Sequence, residues 1–311
     1  MILDLIFLVG GLAVLAWSAD RFVDGATALA FRLGVSTMVV GALVVGFGTS
    51  APELVVSVIA AAQGELDLGV GNVIGSNVAN LSLVLGIGAV IHPLDLPGGS
   101  IRRAILCLAS VVLFAVLVQD GATRVEGVIL AIATVVGLLL LAQKPPEDGK
   151  RSEDAKTGVG AGSTWWWTLI GLVGTVGSAQ IVVLGATGLA DGFGIGGGFV
   201  GFSMVAFGTS LPELVTVVAA SRRRETGLII GNLLGSNVFN SLAVGAALFL
   251  AGPGPMSEVN LQVRGSLAMA IIATLVVLCM STSRRIARPE GAMLLVSYGV
   301  LLAVLASSAG V

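Results

Sequence analysis

The sequence predicts an all-α polytopic membrane protein of ten transmembrane helices in two inverted five-helix repeats. Three observations support this: the composition, ten apolar runs and an internal repeat. Of 311 residues, 56% are hydrophobic and 11% charged, with a mean hydropathy of +1.02, whereas soluble domains carry roughly 25% charged residues. The 44 glycines suit close-packed membrane helices. This composition excludes a cytosolic enzyme and a disordered protein, and the net charge of −2 excludes a basic nucleic-acid-binding surface.

Ten apolar runs, bounded by charges, glycine and proline, have about the length of a membrane-spanning helix. In order they lie near residues 3–30, 36–62, 67–90, 102–119, 124–142, 165–190, 197–221, 226–250, 262–281 and 290–308. The hydrophilic stretch Lys144 to Thr164 separates five runs from five, and its charge, proline and glycine content predicts a linker. We therefore expect a first repeat at 1–143, a linker at 144–164 and a second repeat at 165–311.

The basic residues predict the orientation. With ten helices, one side of the membrane receives nearly all of them: Arg32, Arg102, Arg103, Lys144, Lys150, Arg151, Lys156, Arg222, Arg223, Arg224, Arg284, Arg285 and Arg288. The other side receives only Arg124 and Arg264. Because basic loops stay in the cytoplasm, we expect a cytoplasmic linker and two extracytoplasmic termini, in the plasma (cell inner) membrane. The run of tryptophans at 165–167 fits an aromatic belt where the sixth helix enters the interface.

The chain resembles itself at an offset of 160 residues. GFGTSAPELVVSVIAA (46–61) aligns with AFGTSLPELVTVVAAS (206–221), and GNVIGSNVANL (71–81) aligns with GNLLGSNVFNS (231–241). Because five helices are an odd number, the second unit must cross the membrane in the opposite sense to the first. Inverted repeats are the architecture of secondary transporters, whose sites lie at the midplane between the halves.

Each repeat places one acid, Glu53 or Glu213, in the middle of an apolar run and directly after a proline. An ionised carboxylate there costs roughly 2.5–3.5 kcal/mol on insertion scales. Pro52 and Pro212 weaken the helix at this point. Carbonyls freed by the prolines are tolerable only beside a water-filled or ion-filled cavity; we expect them near Gly46, Phe47, Ala206 and Phe207.

Other polar residues accompany the acids at helical spacing. The pairs four residues apart, which can share a helix face, are Thr49 with Glu53, Thr209 with Glu213, Ser76 with Asn80 and Ser236 with Asn240. Carboxylate, hydroxyl and carbonyl oxygens are the ligands of hard cations such as Ca²⁺ and Na⁺. No cysteine or histidine accompanies them, which disfavours zinc and copper. The alternative is that polar residues join packed helices, and this stays open for Asn72, Asn77, Asn232 and Asn237.

The paired motifs GTSAPE with GNVIGSNVAN and GTSLPE with GNLLGSNVFN resemble the α-repeats of the cation/calcium antiporter superfamily, in particular its prokaryotic sodium/calcium exchangers. The resemblance implies exchange of cytoplasmic Ca²⁺ for external Na⁺ by alternating access, without cofactor, ATP or enzymatic chemistry. It implies no partner beyond these ions and the lipid bilayer. The family's ligand positions fall on Thr49, Ser50, Glu53, Ser76, Asn80, Thr209, Ser210, Glu213, Ser236 and Asn240, with backbone ligands at Gly46 and Ala206.

One position departs from part of that family. Potassium-dependent members carry Asp where this chain has Asn240, and Asn80 is its neutral counterpart in the first repeat. Any role that needs a third acid is therefore not expected here. We also expect the first and sixth helices to be the moving element, because glycine near Gly25 and Gly185 suits close sliding against the core.

Two other transport functions remain open from the sequence. A Ca²⁺/H⁺ antiporter would use the same two acids as proton carriers, and a cation channel would conduct without strict coupling. An intramembrane hydrolase is disfavoured, because His92 is the single histidine and no nucleophile–base pair accompanies it.

Overall fold

A computed structural model of the protein describes residues 2–143, 164–192, 208–258 and 261–308. Before the linker come α1 (Ile2–Leu33), α2 (Thr37–Thr49), α3 (Ala51–Ala62), α4 (Leu66–Ile91), α5 (Ser100–Leu117) and α6 (Arg124–Ala142). After it come α7 (Thr164–Gly192), α8 (Leu211–Arg222), α9 (Thr226–Ala251), α10 (Leu261–Ser283) and α11 (Arg288–Ser308). Two short strands, β1 (Leu94–Asp95) and β2 (Arg285–Ile286), pair antiparallel.

The described ranges contain seven helices that are long and apolar enough to cross a membrane: α1, α4, α5, α6, α7, α9 and α10. Helices α2 and α3, bent by 43° at the break between them, are long and apolar enough only when taken together, and they bring the number to eight if the pair counts as one span. The fold is therefore that of an all-helical membrane protein. The predicted linker lies outside the described residues except for Thr164, which begins α7, and so does the first half of the predicted run 197–221.

The sequence repeat is also a repeat of local structure. Helix α3 (Ala51–Ala62) and helix α8 (Leu211–Arg222) have the same bounds at the offset of 160 residues. Within α4 and α9, the α-helical hydrogen bonding gives way to a π-helical turn at Asn80–Val84 and at Asn240–Val244, again 160 residues apart. Matching residues thus impose matching helix breaks in both halves.

The connections between helices gather on two opposite faces. We call one the strand face: it holds β1 and β2, the 223–225 loop and the end of α6, whose Leu141 and Gln143 carbonyls accept hydrogen bonds from Arg103. The other we call the bridge face: there Ala122 pairs with Gly254, and Asp67 accepts from the backbone N–H of Ser257. The end of α8 belongs to the strand face because Ser221 lies beside Gly88, near the end of α4.

Helices α1 and α7 pack along each other in antiparallel orientation. Gly25, towards the end of α1, lies against Thr168 at the start of α7, and Gly185, late in α7, lies against Leu8. A Cβ at Gly25 would stand 2.6 Å from the Thr168 backbone nitrogen, and one at Gly185 would stand 2.5 Å from that of Leu8. The expectation that these glycines slide against the core is therefore wrong, because they form the contact between the two long helices.

Helix α9 lies at the centre, parallel to α2 and antiparallel to α4. A Cβ on Gly235 would stand 2.6 Å from the Cα atom of Ala42, so glycine is needed for this close approach of α2. On the α4 side, the Ser241 hydroxyl donates to Asn77 Oδ1 at 3.4 Å. These contacts bring the polar segments of both repeats into one buried layer.

Candidate functional site

The two acids lie in the first turns of α3 and α8, directly after a break in each helix. Ser50 and Ser210 occupy the breaks with nearly the same backbone angles, φ −86° and ψ 10° against φ −89° and ψ 2°. Proline follows in the first turn of each new helix, where its missing N–H costs nothing. A helix N-terminus favours negative charge, so both breaks place a carboxylate where the backbone supports it.

This geometry corrects one expectation about spacing. Thr49 is the last residue of α2, whereas Glu53 belongs to α3, on the other side of the bend. Thr49 and Glu53 therefore do not share the face of one continuous helix. Ser76 and Asn80 do follow each other along α4 without a bend, as do Ser236 and Asn240 along α9.

Glu213, in the second repeat, accepts a hydrogen bond from a residue of the first repeat. Its carboxylate is fully buried, and Oε1 accepts a hydrogen bond of 2.8 Å from the hydroxyl of Ser50. Thr49 and Ser236 lie beside the same carboxylate. Its second oxygen, Oε2, has no hydrogen-bond partner in the part of the chain that the structure describes.

Glu53 has hydroxyl neighbours from both halves, as Glu213 has. The hydroxyls of Ser76 and Ser210 lie beside its carboxylate, and its charge interacts with that of Glu213. The side chain is fully buried, yet neither oxygen makes a hydrogen bond of regular geometry within the described ranges. Two like charges and their unpaired oxygens are thus enclosed together, an arrangement that a bound cation would relieve.

Asn80 and Asn240 each begin a π-helical turn, one helical turn beyond the serines of the site. Both side chains are fully buried, and among the described residues neither Oδ1 nor Nδ2 of either amide has a partner. Buried amides normally find partners, and π-helical turns frequently mark functional sites. These unpaired amides therefore suit a site that binds a polar ligand.

The Gly46 carbonyl is already engaged in the structure. It accepts hydrogen bonds from the Ser236 hydroxyl at 3.0 Å and from the Ser50 backbone N–H at 3.2 Å. The expectation of a freed carbonyl is therefore not met at Gly46, although the atom lies beside the site serines. The matching residue Ala206, with Phe207, lies outside the described residues.

Two of the four asparagines whose role the sequence did not decide, Asn72 and Asn232, contact a threonine of the opposite repeat. Thr49 Oγ1 reaches Asn232 Oδ1 at 3.5 Å, and Thr209 Oγ1 reaches Asn72 Oδ1 at 3.4 Å. Asn72 also donates to the hydroxyl of Ser57 at 3.0 Å. Ser57 was not among the predicted site residues, although its position four residues after Glu53 was a usable signal.

Asn77 and Asn237 bond mainly within their own helices. Their amide groups donate to the carbonyls four residues earlier, those of Val73 and Leu233, at 2.8 Å and 2.6 Å. Structural roles therefore account for these side chains better than a ligand role does.

Eleven of the twelve predicted ligand positions lie in the described ranges, and all eleven are buried. Together they offer two carboxylates, several hydroxyls and two amides. The described residues contain no group of three or more His, Cys, Asp or Glu side chains that could hold a metal ion. The donor set is therefore rich in neutral oxygen, which suits hard cations that take six or more oxygen ligands.

Comparison with known proteins identifies the family. The family model described as "Sodium/calcium exchanger protein" matches residues 3–142 and 163–306, which is nearly the whole chain. The chain belongs to the sodium/calcium exchanger family. The first block ends just before the predicted linker and the second begins near its end, so each half of this exchanger-family chain is covered separately.

Two relatives and one solved structure match this exchanger-family chain over nearly all of their length. CaxA of Alkalimonas amylolytica is 37% identical, with 96% of this chain and 97% of that protein covered. The sodium/calcium exchanger MaX1 of Methanosarcina acetivorans is 29% identical, with 98% and 97% covered. Among solved structures, the sodium-calcium exchanger NCX_Mj soaked with 2.5 mM Na⁺ and 0.1 mM Ca²⁺ is 30% identical and superposes with a TM-score of 0.87, covering 97% of this chain and 98% of its own.

Proposed function

We propose that this chain is a secondary active antiporter that exchanges Ca²⁺ for Na⁺ by alternating access at the buried site between its halves. Its family supports this, and so does its likeness to NCX_Mj, solved with Na⁺ and Ca²⁺ and also with Sr²⁺. The observation that supports it most directly is the pair Glu53 and Glu213, fully buried with three of four carboxylate oxygens unpaired among the described residues.

The two carboxylates set the charge that the site carries. Two negative charges balance one Ca²⁺, or most of the charge of a small group of Na⁺ ions. The remaining ligands are neutral: the side chains of Thr49, Ser50, Ser76, Asn80, Thr209, Ser210, Ser236 and Asn240, with the Gly46 and Ala206 carbonyls. Because both ions use the same oxygens, they compete for the site, and this competition couples their fluxes.

The proposed architecture is ten helices, divided into a repeat at 1–143, a linker at 144–164 and a repeat at 165–311. The antiparallel contact of α1 with α7 supports an inverted arrangement, because these are the first helices of the two repeats. The antiparallel contact of α4 with α9, through Asn77 and Ser241, supports it in the same way.

The proposed orientation places the strand face in the cytoplasm. The runs Arg222–Arg224, at the end of α8, and Arg284–Arg285, at the start of β2, lie on that face, together with Arg102 and Arg103 at the start of α5. Arg124 and Arg264 lie at the bridge face. Because basic residues are retained on the cytoplasmic side, the termini are extracytoplasmic, the linker is cytoplasmic, and the protein belongs in the cell inner membrane.

The moving element we propose is the α1–α7 pair. The two helices contact each other closely through glycine, and the guanidinium of Arg21 lies 5.7 Å from the ring of Trp17 and 5.6 Å from that of Trp167. Such cation–π contacts join α1 to α7. A pair held together in this way can move as one body against the layer that holds the acids.

The test is uptake of ⁴⁵Ca²⁺ into proteoliposomes loaded with Na⁺, with K⁺, or with a proton gradient. We expect uptake that depends on the outward Na⁺ gradient. Uptake driven by the proton gradient alone would instead assign Ca²⁺/H⁺ exchange, and uptake at channel rates without any counter-ion would assign a cation channel. Either result would overturn the proposal.

A further inference from the structure

One ion-pair cluster lies outside the site and joins α1 to the core. Arg223, in the loop between α8 and α9, places Nη1 2.7 Å from Asp20 Oδ1 and Nη2 3.2 Å from Asp24 Oδ2. Its Nε also lies 3.2 Å from Asp24 Oδ1. The planar guanidinium thus grips two carboxylates one helical turn apart on the same helix, a geometry suited to arginine rather than lysine.

The position of the cluster determines which structural elements it joins. Asp20 and Asp24 flank Arg21, whose guanidinium lies between the tryptophan rings of α1 and α7. Arg21 therefore joins α1 to α7, whereas Arg223 joins α1 to the α8–α9 loop on the strand face. Beyond the cluster α1 is buried from Gly25 to Ala30, so neighbouring helices enclose this segment of α1.

A third carboxylate, Glu225, faces the cluster from the same loop as Arg223. Burial raises the pKa of Glu225, repulsion from Asp24 adds to the increase, and attraction to Arg223 opposes it. The positive charge of Arg223 thus offsets the mutual repulsion of the acids brought together by closure. Removing that charge leaves the acids to push α1 away from the loop.

We propose that Arg223 is a positioning residue for exchange: its ion pairs with Asp20 and Asp24 hold the α1–α7 pair against the α8–α9 loop, and they must break before the strand face opens. This inference rests on the proposed alternating access. Arg223 acts through the position of α1, since its side-chain contacts within the described ranges are with Asp20 and Asp24 and with none of the predicted ion ligands.

The strength of the ion pairs of Arg223 with Asp20 and Asp24 suits a contact that forms and breaks in each cycle, and we call this contact the latch. The three side chains remain partly exposed, 33% for Arg223, 50% for Asp20 and 37% for Asp24. An ion pair of this exposure changes an equilibrium by up to about fivefold, and salt screens it. The latch therefore shifts the balance between closed and open states without blocking the cycle.

The first experiment measures opening without measuring transport. Thr27→Cys places a thiol on α1 at a residue that is 8% exposed, three residues after Asp24. The labelling rate with a membrane-impermeant maleimide, applied to the strand-face side, reports opening; protein without Thr27→Cys gives the background from the buried Cys107 and Cys279. We expect Arg223→Gln to raise the rate up to about fivefold, and Arg223→Lys to have a smaller effect.

The matched control is Arg222→Gln, which removes the same charge from an exposed neighbouring arginine. A double variant, Asp24→Asn with Arg223→Gln, should label no faster than Arg223→Gln alone, because one interaction cannot be lost twice. An unchanged labelling rate in monodisperse Arg223→Gln protein, or an equal change in Arg222→Gln, would overturn the proposal.

The second experiment locks the latch. Asp24→Cys with Arg223→Cys, bridged by a short bis-methanethiosulfonate reagent, should lose ⁴⁵Ca²⁺ exchange and regain it on reduction, while each single-cysteine variant treated in the same way keeps it. Exchange that continues after complete bridging would refute the latch. If the unmodified protein exchanges no Ca²⁺ for Na⁺ while labelling still responds to Arg223→Gln, the proposed function fails and the latch stands.

Discussion

Removing one carboxylate charge from the centre should abolish Ca²⁺ transport and leave the fold intact. The changes are Glu213→Gln in one repeat and Glu53→Gln in the other, and both side chains are fully buried. Of the four carboxylate oxygens, only Glu213 Oε1 accepts a hydrogen bond among the described residues, from Ser50. Each substitution therefore changes the charge of the site and disturbs few protein contacts.

The magnitude follows from Coulomb's law at the effective dielectric of a protein. Two unit charges 4 Å apart interact by about 4 kcal/mol at a dielectric constant of about 20. One carboxylate therefore attracts Na⁺ by about 4 kcal/mol and Ca²⁺ by about 8 kcal/mol in the same geometry. A net loss of even about 2 kcal/mol lowers Ca²⁺ affinity about 30-fold. Because the divalent ion loses twice as much, Ca²⁺ affinity should fall more than Na⁺ affinity in both variants.

The assay is ⁴⁵Ca²⁺ uptake into Na⁺-loaded proteoliposomes, with Glu65→Gln as the matched control. Glu65 is an exposed acid in the turn between α3 and α4, so its substitution makes the same chemical change away from the site. Size-exclusion profiles and thermal unfolding should show folded protein, because a neutral amide is cheaper to bury than a carboxylate. Uptake at the unmodified rate in either buried-site variant would refute the assignment of these acids.

Four further predictions concern other parts of the chain. Gly25→Ala places a Cβ 2.6 Å from the α7 backbone and should cost about 1–3 kcal/mol of stability, measured by thermal unfolding against Gly10→Ala, which has no described atom within 4 Å. Glu225→Gln should raise the unfolding temperature at neutral pH. Burial raises the pKa of Glu225 in the folded protein, so the unsubstituted protein loses stability as the pH rises through that folded-state pKa, and the glutamine variant does not. This gain should vanish as pH falls below the ordinary value of 4.5, and a gain that persists in acid would contradict it. A modest deletion inside the 144–164 linker should leave exchange largely intact; loss of flux in well-folded protein would assign the linker a role. Because Asn240 is neutral, exchange should need no K⁺. If three Na⁺ return per Ca²⁺, the exchange rate should also respond to membrane potential. Measurement of Ca²⁺ flux at clamped potential, with and without K⁺, checks both expectations.

The helices were predictable because hydropathy depends on local sequence alone. The run predicted at 67–90 is observed as Leu66–Ile91, and the run at 124–142 as Arg124–Ala142. The run at 36–62 was predicted as one span, and the structure bends it by 43° at Ser50. Pro52 signalled a weak point, but the angle depends on packing against α9, which sequence periodicity does not contain.

The buried polar side chains of the candidate site were predictable from their chemistry, and their hydrogen-bond partners were not. A buried acid repeated at a fixed offset is costly enough to mark a site by itself. The hydrogen bond from Ser50 to Glu213 joins the two repeats, so it depends on how the halves pack against each other. The contact of Gly25 with α7 has the same origin. Composition showed that Gly25 permits a close approach, and only the structure shows which helix approaches.

The two halves of the candidate site hold matching polar side chains, but the residues that support them differ. Asn72 donates to Ser57, but the matching position after Glu213 is Val217, and within the described ranges Asn232 Nδ2 has no partner.

The second difference lies deeper in the same layer. Asn77 Oδ1 accepts from Ser241, whereas the matching position in the first repeat is Leu81, and Asn237 Oδ1 is unpaired in the described part of the chain. An exactly two-fold centre would offer an ion the same affinity from either side of the membrane. The different hydrogen-bond partners of the two halves make these affinities unequal. Unpaired polar atoms raise the energy of one half and leave its site side chains less restrained. The residues behind the paired side chains are therefore where the two access states that we propose would differ in ion affinity.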